Sequence, residues 1–278
     1  MKRLRISAIS YLNTAPLMWD FEHGTVGSLF DIAYTLPSQC AANLQAGSAD
    51  VGIIPAAAYA SNPNLAILPG VAIASLKAVR SILLISKGPL TEIETVALDT
   101  SSLTSVALTK VLFANCWGGA RTYVGMKPDV EQMLSHHDAA LIIGDPALQI
   151  DRSRYITHDL AEEWNRWTGK PFVFAFWAVR QAALQDARKN LDLAEIFQQS
   201  RDHGLLPQNI DRIAEEWSHR LALSNADCKS YLKDSIYYFL DADCVAGLRL
   251  FYQYAKECNA LPAVQSLYFL DAVKAAVS

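Results

Sequence analysis

Two short, wholly apolar runs restrict the fold of this chain more than any other feature. "VGIIP" (51–55) and the start of "AALIIGD" (139–145) show no polar alternation, so both faces of each strand must be buried. Strands of that kind belong in parallel sheets covered on both sides. Each run also closes a repeat of the same grammar. "FDIAYTLP" (30–37) alternates like a strand and "SQCAANLQAGSAD" (38–50) follows as a helix. There Ser38 is placed at the N-cap, Cys40, Ala41 and Leu44 on one face, and Gly47 near the C-cap. The pattern restarts with a strand "TVALDT" (95–100), a helix "SLTSVALTKVLFANC" (102–116), a strand "RTYVG" (121–125) and a helix near 128–136. Strand, helix, strand at this spacing is a βαβ unit with a right-handed crossover.

Two such units predict an α/β protein of two lobes, which a length of 278 residues can fill. The opening strand (3–9), "LAILPGVAIAS" (65–75) and "VRSILLIS" (79–86) are assigned to the first lobe. "FVFAFWAVR" (172–180) is read as a return to it, and 181–278 as helical from 3.6-period apolar stripes. The expected architecture is a clamshell: lobe one is 1–88 with 172–278, lobe two is the inserted 89–171, and "KGPLTEIE" is a candidate hinge. Ligands in such sheets lie beyond the carboxyl ends of the strands, here between the lobes.

Composition narrows the partners. A net charge of −4 argues against a nucleic-acid or anionic-membrane partner, which would need a basic face. Five cysteines with no C-x-x-C pair indicate neither a zinc ribbon nor a redox dithiol, and free thiols fit a reducing cytoplasm. The basic N-terminus is followed by too few apolar residues for a secretory signal, and no window has the length of a membrane span. His136 and His137 are adjacent and diverge by about 100° on a helix, so they read as solvated surface rather than as a metal pair. No nucleotide loop, nucleophile elbow or zinc-protease motif is present. The expectation is a cytoplasmic protein acting on a small molecule without metal or cofactor.

The strand ends carry the functional signal. "ISAISYLNTAPL" (6–17) starts as a core strand and then packs Ser10, Tyr11, Asn13 and Thr14 before Pro16. Polar groups at the end of a core strand need partners, because leaving them dry and unpaired costs a few kcal/mol. "TSSLTS" (100–105) sets five hydroxyls where a helix begins and where the first N–H groups lack internal partners. Such a site suits a carboxylate or phosphate, and capping alone would need one hydroxyl. Ser101, Ser102, Thr104 and Ser105 are therefore candidate ligand contacts. Gly144 and Asp145 end the strand "AALIIGD", with Asp145 equally readable as a cap. Arg80 and Ser81 open the strand leaving lobe one, and Arg80 could counter an anion or face solvent. Asp99 could act as a base, although an aspartate at a strand end is more often structural. The aromatics of 164–177 read mainly as core.

Taken together, "SYLNTAPL", "LPSQCAANLQAGSADVGIIP", "VRSILLIS", "VALDTSSLTSVAL", "ALIIGDPAL" and "DLAEEWNRWTGKPFVFAFW" resemble the chorismate dehydratases of the futalosine route to menaquinone. The resemblance runs from about residue 3 to 180. It departs modestly at Cys40, where an apolar residue is usual, and at Leu76, where a glycine is usual. It implies a fold similar to type II periplasmic binding proteins. It also implies chorismate as substrate, 3-[(1-carboxyvinyl)oxy]benzoate as product, and no cofactor. On this reading the helix start at 101–105 holds one substrate carboxylate and Ser10, Asn13 and Ser81 the other end. Tyr11, Arg80, Gly144 and Asp145 complete the site. Asn13 is the expected catalytic residue, orienting the substrate or hydrogen-bonding the departing hydroxyl. With only Asp99 and Asp145 able to ionise usefully, the favoured base is the substrate's own enolpyruvyl carboxylate. A binding or sensor protein using the same clamshell without chemistry is the alternative.

Overall fold

The computed structural model describes residues 3–186, 191–264 and 266–270. Among these residues ten strands form two five-stranded sheets. They are β1 (Leu4–Ile9), β2 (Phe30–Thr35), β3 (Val51–Pro55), β4 (Leu65–Ser75), β5 (Ile82–Ser86), β6 (Thr95–Asp99), β7 (Thr122–Met126), β8 (Ala139–Ile143), β9 (Ile156–Asp159) and β10 (Phe172–Arg180). The first sheet has the order β2-β1-β3-β10-β4 and the second β7-β6-β8-β5-β9. β1 pairs in parallel with β2 and β3, and β6 in parallel with β7 and β8, so both βαβ units form. The apolar runs explain their central places: β3, β5 and β8 are buried at every residue, as strands covered on both faces must be. β10 inserts antiparallel between β3 and β4. At the far ends of these strands Asp50 accepts from both Arg5 (2.8 Å) and Arg180 (2.7 Å), which holds its carboxyl well below the usual range and locks β1 to β10.

Four expectations need correction. The sequence pattern puts Ile82–Ser86 in the first lobe, yet β5 pairs antiparallel with β8 and β9 in the second sheet. The chain therefore passes between the sheets at 76–81, and 87–94 links β5 to β6 inside the second sheet. A fully apolar strand carries no mark of which sheet will bury it. The passage is pinned by Asp159, whose carboxylate accepts from Val79 N–H (3.1 Å) and Arg80 N–H (2.6 Å) while capping the helix Leu160–Thr168. Arg80 itself has φ +67°, a left-handed conformation uncommon for a non-glycine residue. β9 carries only a weak strand pattern and is absent from the sequence expectation.

The third correction is the helix start at 37. Leu36 is the N-cap and Pro37 the first helical residue, with Leu36 N–H donating to Gln39 Oε1 at 3.2 Å. Pro there needs no donor and presets the helical φ, so Ser38 is already inside the helix. The fourth lies in the C-terminal region, which is not uniformly helical. Helices Leu193–Gly204, Pro207–Leu221, Asn225–Ser230 and Ala242–Glu257 form as expected. Between the last two, residues Tyr231–Ser235 make a π-turn, after which Tyr237 pairs antiparallel with Ala74 of β4. The helical expectation for 187–190 and 271–278 lies outside the described residues. Among the described residues no helix is long and apolar enough to cross a membrane.

Candidate active site

The carboxyl ends of β1 and β8 meet. Beyond Ile9 the chain turns at Tyr11 into the 3-10 helix Leu12–Met18, and beyond Ile143 it turns at Gly144. Leu12 N–H donates to Asp145 Oδ1 at 3.1 Å, and the Tyr11 ring lies against Gly144. Next to this junction is a cleft of about 430 Å³, counting the space open to solvent. Its polar wall is Tyr11, Asn13, Ser102 and Ser105, and its apolar wall includes Ile73 and Phe174. The polar run after β1 is thus accounted for: Leu12 N–H is tied to the second sheet, and Tyr11 and Asn13 face the cleft.

The hydroxyl cluster divides by direction around the helix Leu103–Asn115. Ser102 caps this helix, accepting from Ser105 N–H at 3.2 Å, and its hydroxyl donates to Ser105 Oγ at 3.0 Å. Both line the cleft. Thr104 does not: its hydroxyl accepts from Ala57 N–H (3.0 Å) and donates to Phe174 O (3.1 Å), stitching the helix to the first sheet. Residues two apart on a helix point away from each other, so Thr104 cannot share a ligand with Ser102. Ser101 turns back to donate to Asp99 Oδ1 at 2.7 Å. Thr100 is exposed.

Other expected contacts also move. Ser10 lines a neighbouring cavity of about 940 Å³ on the same measure, which shares only Ile9 and Tyr11 with the cleft. The Arg80 guanidinium is engaged outside the cleft wall, donating to Ser230 Oγ at 3.3 Å and lying 3.9 Å from Asp227. Ser81 is fully buried behind the wall. It accepts from Tyr231 OH at 2.9 Å, and Tyr231 OH in turn accepts from Asn13 Nδ2 at 3.2 Å. Tyr231 is the residue that sequence reasoning misses. An aromatic in an apolar helical stripe reads as core, and only the π-turn, a feature frequent at functional sites, would have marked it.

The profile of a family described as menaquinone biosynthesis matches residues 4–257. The chain belongs to that family. It is 29% identical over 276 residues to a chorismate dehydratase of Thermus thermophilus, covering 93% of this chain and 96% of that protein. Among solved structures it resembles an Archaeoglobus fulgidus protein, with a TM-score of 0.69, 16% identity, and 93% and 98% of the two chains covered. It also resembles the alkanesulfonate-binding protein SsuA of Xanthomonas axonopodis pv. citri, with a TM-score of 0.66, 16% identity and 94% of both chains covered. The fold of this menaquinone-biosynthesis family member is that of periplasmic binding proteins.

Two carboxyls of this family member are buried near the cleft, and neither lines it. Burial pushes Asp145 up to about 6 against a single opposing hydrogen bond from Leu12 N–H. Burial likewise raises Asp99, whose Oδ2 has no partner among the described residues, and raises the Tyr11 phenol. For Asp145 the sign follows from linkage. A carboxyl raised in the folded state stabilises fully below its unfolded pKa, and that contribution is lost as pH rises through about 6. Asp145→Asn keeps an oxygen for Leu12 N–H and does not titrate. It should therefore match the wild type near the unfolded aspartate pKa and exceed it at neutral pH by on the order of a few kcal/mol. Denaturant melts of both proteins across this range check it. Parallel curves would show that the Asp145 carboxyl has the same pKa folded and unfolded.

Proposed function

We propose that this protein is a chorismate dehydratase, a carbon–oxygen lyase that removes water from chorismate to give 3-[(1-carboxyvinyl)oxy]benzoate. Family membership and the dehydratase relative support the substrate. One observation carries the mechanism. Among the described residues, none lining the cleft is a carboxylate, histidine, lysine or arginine. General-base catalysis needs a proton acceptor within hydrogen-bonding reach, and this wall offers hydroxyls and one amide. The acceptor is then the substrate's enolpyruvyl carboxylate, which takes the proton from ring C3. The electron pair left at C3 delocalises through C2=C1 toward the ring carboxylate and then forms the C3=C4 bond as the C4–O bond breaks. The departing hydroxide takes up the proton and leaves as water, and the ring becomes aromatic.

Ser105, oriented by Ser102 at the start of a thirteen-residue helix, is placed to hold a substrate carboxylate by its hydroxyl proton together with the positive helix end. Donors fixed on the ring carboxylate or the departing oxygen strengthen as charge develops there, which lowers the barrier rather than merely improving binding. Asn13 supplies the amide donor for the leaving oxygen. The test is direct: purified protein is mixed with chorismate and followed by ultraviolet absorbance and mass spectrometry. The expected result is conversion to an aromatic product lighter by one water. Saturable binding with chorismate returned unchanged would make the protein a binding or sensor module instead.

A further inference from the structure

Asn13, Tyr231 and Ser81 come from three distant parts of the chain and meet in one buried relay. Asn13 follows β1, Ser81 ends the passage between the sheets, and Tyr231 begins the π-turn. We infer that Tyr231, backed by Ser81, is a positioning residue that sets which end of the Asn13 amide is left for the cleft. This rests on the catalytic role proposed for Asn13.

The number of protons available along the relay decides its direction. A phenol has a single proton. Here Tyr231 gives it to Ser81 Oγ at 2.9 Å, so its oxygen can only accept from Asn13. Asn13 meets that requirement with Nδ2 at 3.2 Å, while its Oδ1 accepts from the Thr14 hydroxyl at 3.4 Å. The Tyr231 contact selects this amide orientation, and the Thr14 contact is compatible with it. One N–H is thereby spent on Tyr231, and a single N–H remains as the donor for an oxygen in the cleft. The opposite relay, with Ser81 donating to Tyr231 and Tyr231 to Oδ1, would turn both N–H groups away from the phenol and misplace that donor. Tyr231 is itself held in place against Asn13 and Ser81. It is 1% exposed, and Tyr237, six residues on, pairs with Ala74 by two 2.8 Å backbone hydrogen bonds. Full burial also pushes its phenol far above the ordinary range, so it stays a neutral hydroxyl.

Tyr231→Phe removes the hydroxyl with little change of shape. It should lower kcat at least tenfold with KM within about threefold, because the amide is released without losing its place on the wall. Ser81→Ala should do the same, and Ser81→Thr, which keeps the acceptor, should regain turnover relative to Ser81→Ala. A second readout needs no substrate. In the ligand-free protein the side-chain amide of Asn13, assigned by its loss in Asn13→Ala, should be protected from hydrogen exchange in the wild type and unprotected in Tyr231→Phe. An Asn13 amide equally protected in Tyr231→Phe, or wild-type kcat in both Tyr231→Phe and Ser81→Ala, would overturn the inference. If the wild type does not convert chorismate, the functional proposal fails, and the amide signal still decides whether Tyr231 orients Asn13.

Discussion

Asn13→Ala should yield a folded protein that binds chorismate and turns it over ~100-fold or more slowly, the usual loss when one donor to developing charge is removed. The side chain sits on the cleft wall just beyond β1, half-buried, and its backbone is held by the 3-10 helix rather than by its own amide. Removing the amide therefore spares the fold. Binding should weaken less than turnover, because the Ser105 hydroxyl at the helix start remains to hold a carboxylate. Asn13→Asp tests charge at constant shape. A carboxylate there would face a dianionic substrate, and it would also press a second acceptor against Tyr231 OH, so binding should weaken markedly. Steady-state kinetics with calorimetric titration of the slow variants reads both. If Asn13→Ala retains turnover while Asp145→Asn or Asp99→Asn abolishes it with binding intact, a protein carboxylate is the base and the substrate-assisted route is wrong.

The second large effect is expected at Gly144. Its φ of +68° and ψ of −148° lie in a region open to glycine and closed to side chains, where any other residue costs about 1–3 kcal/mol. A Cβ built there would stand 2.7 Å from Tyr11 Cε2, closer than carbon atoms approach. Gly144→Ala must then displace the Tyr11 ring from the cleft wall as well as strain the backbone. Both stability and turnover should fall. The double variant Tyr11→Ala/Gly144→Ala separates the two causes, since removal of the ring removes the clash and leaves the backbone strain. A thermal melt showing Gly144→Ala as stable as the wild type would mean that this turn can relax to an ordinary conformation.

Sequence patterning reached the architecture because the signals involved are local. Apolar runs at 51–55 and 139–143 must be buried on both faces, and a helix before each makes the parallel pairing. The polar interruption after β1 marked a cleft for the same reason, since a core strand cannot end in unpaired hydroxyls and amides without something to meet them. The family resemblance rests on those same stretches. What escaped was directional or long-range. "TSSLTS" shows five hydroxyls as equals, while the helix turns Ser102 and Ser105 into the cleft and Thr104 onto Ala57 and Phe174.

By itself, then, the sequence determined nine of the ten described strands, most of the helices, the two βαβ units and the polar strand ends, because burial and periodicity act within a few residues. Tertiary structure alone decided that β5 joins the second sheet, since an apolar strand is equally satisfied in either. It alone drew Arg80 to Ser230 and Asp227, and brought Tyr231 against Asn13 and Ser81. A hydrogen bond between residues 218 apart in sequence leaves no periodic trace. It exists only once the helices, the passage between the sheets and the end of β1 are packed together, when a buried phenol must find partners among whatever surrounds it.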